Sequence, residues 1–277
     1  MKIVFYNHYH NGDIHYSREF VKDIMKKTEV DEYVYHHSNK SNLLKDIENL
    51  NYSNNLSMDR QSQIIRNHDT IYINTWIGQC GSKYLLKDCS MYSNYEMYKD
   101  IYKQLSINIE DMEYYLPSID FTKCNTKNID TFLFENNNKK VLVCNGSVLS
   151  GQCPNFDLGN IIIELSKLYN NVDFILTNKI NYTSNNIFFT DDIIKCEYSD
   201  LNEISYLSTM CDIIIGRASG PHAFTHIKDN YCDNNKTFLS LTDKILEGNW
   251  YNIDVCNQLW TNDYNKDNII NIIKNNL

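Results

Sequence analysis

Apolar residues fall into two rhythms along the chain. Short unbroken runs at 3–6, 33–35 and 70–74 have the length and β-branched content of buried strands. Between the first two, a 3.6-residue period over 13–27 brings Phe20, Val21, Ile24 and Met25 onto one helical face. The segments before 33–35 and before 70–74 can both form helices, which predicts a β-α-β-α-β order, with a further helix at 95–105. Periodicity fades over 120–140, where Thr, Lys, Asp and the run 136–138 of Asn read as a linker. The pattern then restarts. Strands are expected at 140–144, 172–177, 187–190, 212–216, 238–241 and 258–260. Helices are expected at 158–169, 201–210 and 267–276, with a loop or helix start over 219–227.

Alternation of this kind predicts an α/β protein whose parallel sheets carry helices on both faces. Two restarts predict two sheets, in Rossmann-like domains at 1–135 and 136–277 that face a central cleft. The closing helix is a candidate to cross back and brace the first domain. Open parallel sheets bind ligands at the carboxyl ends of their strands, so chemistry is expected in the loops after Tyr6, Asn74, Cys144 and Gly216.

Composition narrows the class. The 277 residues suffice for two cores, and 42% hydrophobic with 22% charged residues is ordinary for a globular protein. A formal charge of −9 without a basic stripe argues against nucleic acid as a partner. No run of about 18 apolar residues predicts a spanning helix, which leaves peripheral membrane contact open. The first apolar run is too short for a secretion signal, so the folded domain is expected to begin at residue 1. Nine scattered cysteines without CxxC pairs suit reduced thiols and a cytoplasmic setting. Asn, Ile, Tyr and Lys are abundant throughout, so Asn-rich stretches carry no functional weight.

The segment 201–223 is the most informative. It reads as a helix, a tight return, a buried strand, and then small residues opening a new helix at Ser219, Gly220, Pro221, His222 and Ala223. Small side chains there let a diphosphate approach the backbone, although a plain strand-to-helix turn uses the same residues. The segment resembles the nucleotide-sugar half of GT-B glycosyltransferases of the heptosyltransferase-like group, which carry Asp-Ser/Thr-Gly followed shortly by His and Ala. Ala218 stands where that group has its acidic residue. The same group has a Gly-Asp pair after its first strand, matched by Gly12 and Asp13, and the resemblance implies Asp13 as general base. An Asp at that place also caps a helix, and one residue can do both.

His15 is the second catalytic candidate. On the donor side Gly146, Ser147, Arg217, Ser219, Gly220, Pro221 and His222 are expected, since glycine admits backbone to a diphosphate and a guanidinium pairs with its oxygens. On the acceptor side His10, Arg18, Trp76 and Gln79 are expected, Arg18 doubling as a phosphate partner and Trp76 with Gln79 offering an aromatic face and an amide. His8, His10 and His15 also open like some metal-dependent hydrolases. Further ligands are hard to find: His36 and His37 point apart on a strand, His68 precedes its strand, and His222 with His226 lacks the Glu of His-Glu-x-x-His. No metal is therefore assigned.

The resulting expectation is a metal-independent, inverting glycosyltransferase. It would move a sugar from a nucleoside diphosphate donor, its only co-substrate, to a hydroxyl of a glycan, lipid or protein. A nucleotide-sugar epimerase and a nucleotide-sugar-binding protein without turnover remain as alternatives, the latter because of Ala218.

Overall fold

A computed structural model describes residues 1–7, 10–37, 41–54, 62–78, 91–110, 116–149, 153–217, 219–243 and 256–277. The chain divides into two compact units, Met1–Lys123 and Cys124–Leu277.

In the first unit, β1 (Lys2–Tyr6), α1 (Asn11–Lys27) and β2 (Glu32–His36) follow the expected order. Among the described residues no α-helix lies between β2 and the later strand at 70–74. That span instead contributes β3 (Leu50–Ser53) and β4 (Ile64–Asn67) before β5 (Thr70–Asn74). β4 and β5 form an antiparallel hairpin closed by the pair at 68–69, with His68 at a positive φ of 48°. α2 (Met91–Gln104) begins four residues before the expected start. The sheet order is β3-β2-β1-β5-β4, parallel except at the β4 edge. β1 is central, which explains why Ile3, Val4, Phe5 and Tyr6 are all buried. α1 and α2 meet through Phe20 and Tyr98, stacked at 4.2 Å.

The second unit opens with α3 (Lys127–Glu135), inside the stretch read as a linker. Ile129 is fully buried, the Phe132 ring meets Phe188 at 4.9 Å, and Tyr206 donates to Asp130 at 2.7 Å, so α3 packs with this unit. The i, i+3, i+4 set Ile129, Phe132 and Leu133 was hidden by the polar residues around it. Then follow β6 (Lys139–Cys144), α4 (Leu158–Leu168), β7 (Val172–Leu176), β8 (Ile187–Phe189), α5 (Thr190–Ile193), α6 (Leu201–Thr209), β9 (Ile213–Arg217), α7 (Gly220–Phe224), α8 (Lys228–Tyr231), β10 (Thr237–Leu241), β11 (Asn257–Thr261) and α9 (Lys266–Lys274). The Asp157 side chain caps α4 by accepting from the N–H of Asn160.

All six strands are parallel, in the order β11-β10-β9-β6-β7-β8. In chain order this is the 3-2-1-4-5-6 arrangement of dinucleotide-binding folds. α9, the candidate to cross back, packs within its own unit. Ile269, Ile270 and Ile273 join the core of this same unit beside Ile161, Ile162 and Leu165 of α4. Among the described cysteines, Cys144, Cys153, Cys211 and Cys256 are buried free thiols.

Candidate active site

In the second unit the strand order reverses between β6 and β9, and ligands of open α/β sheets bind in the crevice beyond such a switch point. Two loops meet there, the one after Cys144 and the one after Arg217. Gly146 is buried and Ser147 exposed. A Cβ on Gly146 would come within 2.9 Å of Asn178 Oδ1, so the loop runs close against the β7 loop. Asn145 fixes that approach: its Oδ1 accepts from the N–H of Asn178 at 2.8 Å, and its Nδ2 donates to Asn178 O at 2.9 Å. Ser219 precedes α7 with extended backbone and its hydroxyl makes no capping bond, while Pro221 sits in the first turn. Ala218 lies outside the described residues.

Two donor-side expectations change. Arg217 is 5% exposed, with Nη1 donating to Phe156 O at 2.8 Å, Nη2 donating to Asn145 O, and the guanidinium 5.5 Å above the Phe156 ring. It braces the two loops rather than facing a phosphate, because both backbone carbonyls already accept from it. Burial lowers its pKa, yet a guanidinium remains charged. His222 is 3% exposed and turned into the core, its ring 4.7 Å from His226 and 6.3 Å from Phe238. A Cβ on Gly216 would overlap the His222 ring, so this strand-end glycine makes room for the imidazole. Loss of hydration pushes His222 down to about 4, leaving it neutral at physiological pH.

Sequence reasoning missed Lys236. It is buried, and its Nζ donates to Ser208 O, Thr209 O and Cys211 O at 2.9, 3.2 and 2.6 Å, closing the carboxyl end of α6. No local pattern announces such a contact across 25 residues or more.

In the first unit the switch point lies between β1 and β5, where Tyr6 pairs with Asn74. Asn7 and Asn74 are both fully buried at the strand ends. Asn7 Oδ1 accepts from the N–H of His10 at 3.3 Å, and Asn74 Oδ1 accepts from the N–H of Trp76 at 2.9 Å. The two ring-bearing residues are thus set by matching amides, and their rings lie 4.7 Å apart at 47°. Thr75 links the layer, with its N–H and Oγ1 both donating to Tyr6 O and its hydroxyl 2.6 Å from Tyr35 Oη.

Asp13 stands in the first turn of α1, which starts at Asn11, two residues earlier than the pattern suggested. A helix start ordinarily favours the ionised carboxyl. Instead loss of hydration raises it from 3.8 to about 7, against the lowering pull of its own backbone N–H. Its negative charge acts on two buried phenols, Tyr16 and Tyr35, and helps raise both above the ordinary tyrosine value, after the larger effect of burial. At neutral pH the Asp13 carboxyl is near half-ionised, which is the poise a general base needs.

Arg18 and His15 do not reach this edge. Arg18 is fully buried, its Nη1 within 2.6 Å of both Asp46 oxygens and its Nη2 donating to Leu43 O at 2.7 Å, so the acceptor and phosphate roles give way to an internal ion pair. His15 is fully buried on α1 with its ring 5.6 Å from Tyr16. Its helical position points into the core, away from solvent. Gln79 and His8 lie outside the described residues. His37 is buried between Tyr35 and Tyr52 rings at 5.3 and 6.2 Å.

No family model matches the chain, and no curated protein does. Solved structures do. A glycosyl transferase of family 9 from Veillonella parvula DSM 2008 superposes with a TM-score of 0.52 at 11% identity, over 99% of this chain and 89% of its own. The E. coli heptosyltransferase WaaC, with ADP-2-deoxy-2-fluoro heptose, superposes at 0.56 and 8% identity over 100% of both chains. The same enzyme with ADP gives 0.55 at 8%. No helix among the described residues is long and apolar enough to cross a membrane. At these identities the likeness is one of architecture, and the chain shares, end to end, the α/β fold of these glycosyltransferases.

Proposed function

We propose that this chain is a glycosyltransferase that moves a sugar, with inversion, from a nucleoside diphosphate donor to a hydroxyl acceptor. The observation that carries the reading is the pair of switch points. One offers small residues and backbone to an anion, and the other offers a carboxyl poised near neutrality. In an inverting displacement the acceptor oxygen attacks the anomeric carbon as the bond from that carbon to the β-phosphate oxygen breaks. The acceptor proton passes to Asp13, and the nucleoside diphosphate leaves as an anion. Backbone N–H groups around Gly146, Ser147 and Gly220, with the Ser219 hydroxyl, would meet that developing charge without a metal. A glycan, lipid or protein hydroxyl would serve as acceptor, in a cytoplasmic setting. WaaC, which shares the fold, is described with ADP and an ADP-sugar, and this supports a nucleotide-sugar donor here.

A panel of UDP-, GDP-, ADP-, CDP- and dTDP-sugars in a melting assay tests the reading, because a ligand that binds only the native state raises the apparent Tm. At least one should stabilise the protein, and Gly220→Trp should remove that shift while leaving the unliganded fold intact. A flat panel would overturn the proposal. Slow donor hydrolysis without acceptor then separates a transferase from a protein that binds without turnover, the reading that Ala218 favours.

A further inference from the structure

We infer that the acceptor is an uncharged sugar ring laid against the paired rings of His10 and Trp76. The inference rests on the glycosyltransferase reading and adds the chemical class of the acceptor. Its first support is that the platform is built rather than incidental. Two fully buried asparagines, one after β1 and one after β5, hold the backbones of the two ring-bearing residues through their side-chain carbonyls. Both rings are only partly covered, and the 47° between them opens a shallow notch.

Gly78 adds a second observation. A Cβ there would stand 2.7 Å from Trp76 Nε1, so the absence of a side chain at this exposed position lets the indole lie where it does. A pyranose presents an apolar C–H face to such a ring and hydroxyls at its rim, and an indole or imidazole offers the matching negative face and polar edge.

The described charge beside the platform disfavours a phosphorylated or carboxylated acceptor. Arg18, the cation on the buried face of α1, is held by both oxygens of Asp46. The group that does stand three residues after His10 is the Asp13 carboxyl, which disfavours an anion. A neutral hydroxyl-bearing ring meets no such conflict and brings a proton for Asp13 to take.

The test measures direct binding of methyl β-glucopyranoside and methyl β-galactopyranoside, and of their 6-phosphates, by ligand-observed NMR in the presence of the nucleoside diphosphate that stabilises the full chain. At least one neutral glycoside should bind more tightly than its phosphate. Trp76→Ala should weaken it about tenfold or more, with Trp76→Phe retaining most of the affinity. Gly78→Ala, which displaces the indole without deleting it, should weaken it as well and keeps the test informative if Trp76→Ala does not fold. Tighter binding of the 6-phosphate, or undiminished binding by both Trp76→Ala and Gly78→Ala, overturns the inference. Failure of the glycosyltransferase reading shows separately, as a melting temperature that no nucleotide sugar moves.

Discussion

The carboxyl edges of the two sheets are made of similar loops but assign chemistry to opposite parts of the chain. At the first, side chains face outward: His10 and Trp76 are partly exposed, and Asp13 carries a carboxyl raised to about 7. At the second, Arg217 and His222 turn inward. Arg217 holds two backbone carbonyls and His222 fills the space above Gly216, which leaves Ser147, Ser219 and Gly220 as the small residues of the two loops. The contrast fits the two tasks of a transfer reaction. A diphosphate is bound well by convergent N–H groups, whereas activation of an acceptor needs a titratable side chain.

The strongest way to break this comparison is Asp13→Asn. Loss of a general base typically costs about 10² to 10⁴ in rate, and the variant should keep donor affinity. In the wild type, turnover should fall as pH drops through about 7, where Asp13 gains its proton. The same substitution should stabilise the fold. A carboxyl raised from 3.8 to about 7 binds its proton more tightly in the native than in the unfolded state, so native stability is lost as pH rises from about 4 to 7. Asn carries no such liability. The melting advantage of the variant should therefore be small at pH 4 and reach on the order of 2 kcal/mol at pH 8, allowing for partial exposure of the side chain. A variant that turns over like the wild type would move the base elsewhere, with His10 as the accessible alternative.

Much of this was legible in the sequence, and the omissions share one cause. Buried parallel strands announce themselves by unbroken apolar runs, so β1, β5, β6, β7 and β9 were placed to within a residue or two. β3 and β4 were missed because Leu50–Ser53 and Ile64–Asn67 are edge or near-edge strands with mixed polarity, and the only local sign of the hairpin is a two-residue polar turn at 68–69. Motif matching likewise names loops but not the direction of their side chains. Arg18, Arg217 and His222 turn toward partners (Asp46, Asn145 and Gly216) that lie on other elements, which spacing does not reveal.

Arg18→Ala probes the buried side of the first edge. Removal of one partner leaves the Asp46 carboxylate uncompensated and should cost about 3–5 kcal/mol, read as a lower urea midpoint. The double change Arg18→Met with Asp46→Leu should recover most of that loss, since both charges leave together. If Arg18→Ala folds normally and only acceptor binding suffers, the arginine belongs at the ligand after all. Gly216→Ala asks the same of the second edge: the new methyl overlaps the His222 ring, and overpacking should cost about 1–3 kcal/mol. Pairing it with His222→Ala should relieve the overlap, although the cavity left by the imidazole limits the recovery.

The smallest expected effect on stability belongs to Gly146→Ala, and it sharpens the contrast most. A Cβ at this position would come 2.9 Å from Asn178 Oδ1, the far end of an exposed side chain that can move aside. The stability change should therefore stay within about 1 kcal/mol. Nucleotide binding should respond differently, because a methyl group where the backbone approaches a diphosphate holds the anion off the N–H groups that would bind it. A tenfold loss of affinity corresponds to about 1.4 kcal/mol, so binding should weaken by at least as much as the fold does, and by more if the contact is direct. Calorimetric titration with the stabilising nucleoside diphosphate, beside thermal melting of the unliganded variant, reads the two numbers independently. Unchanged affinity in a stable variant would mean that the diphosphate does not approach Gly146. The backbone of the loop at Ser219 and Gly220 would then have to carry the donor alone.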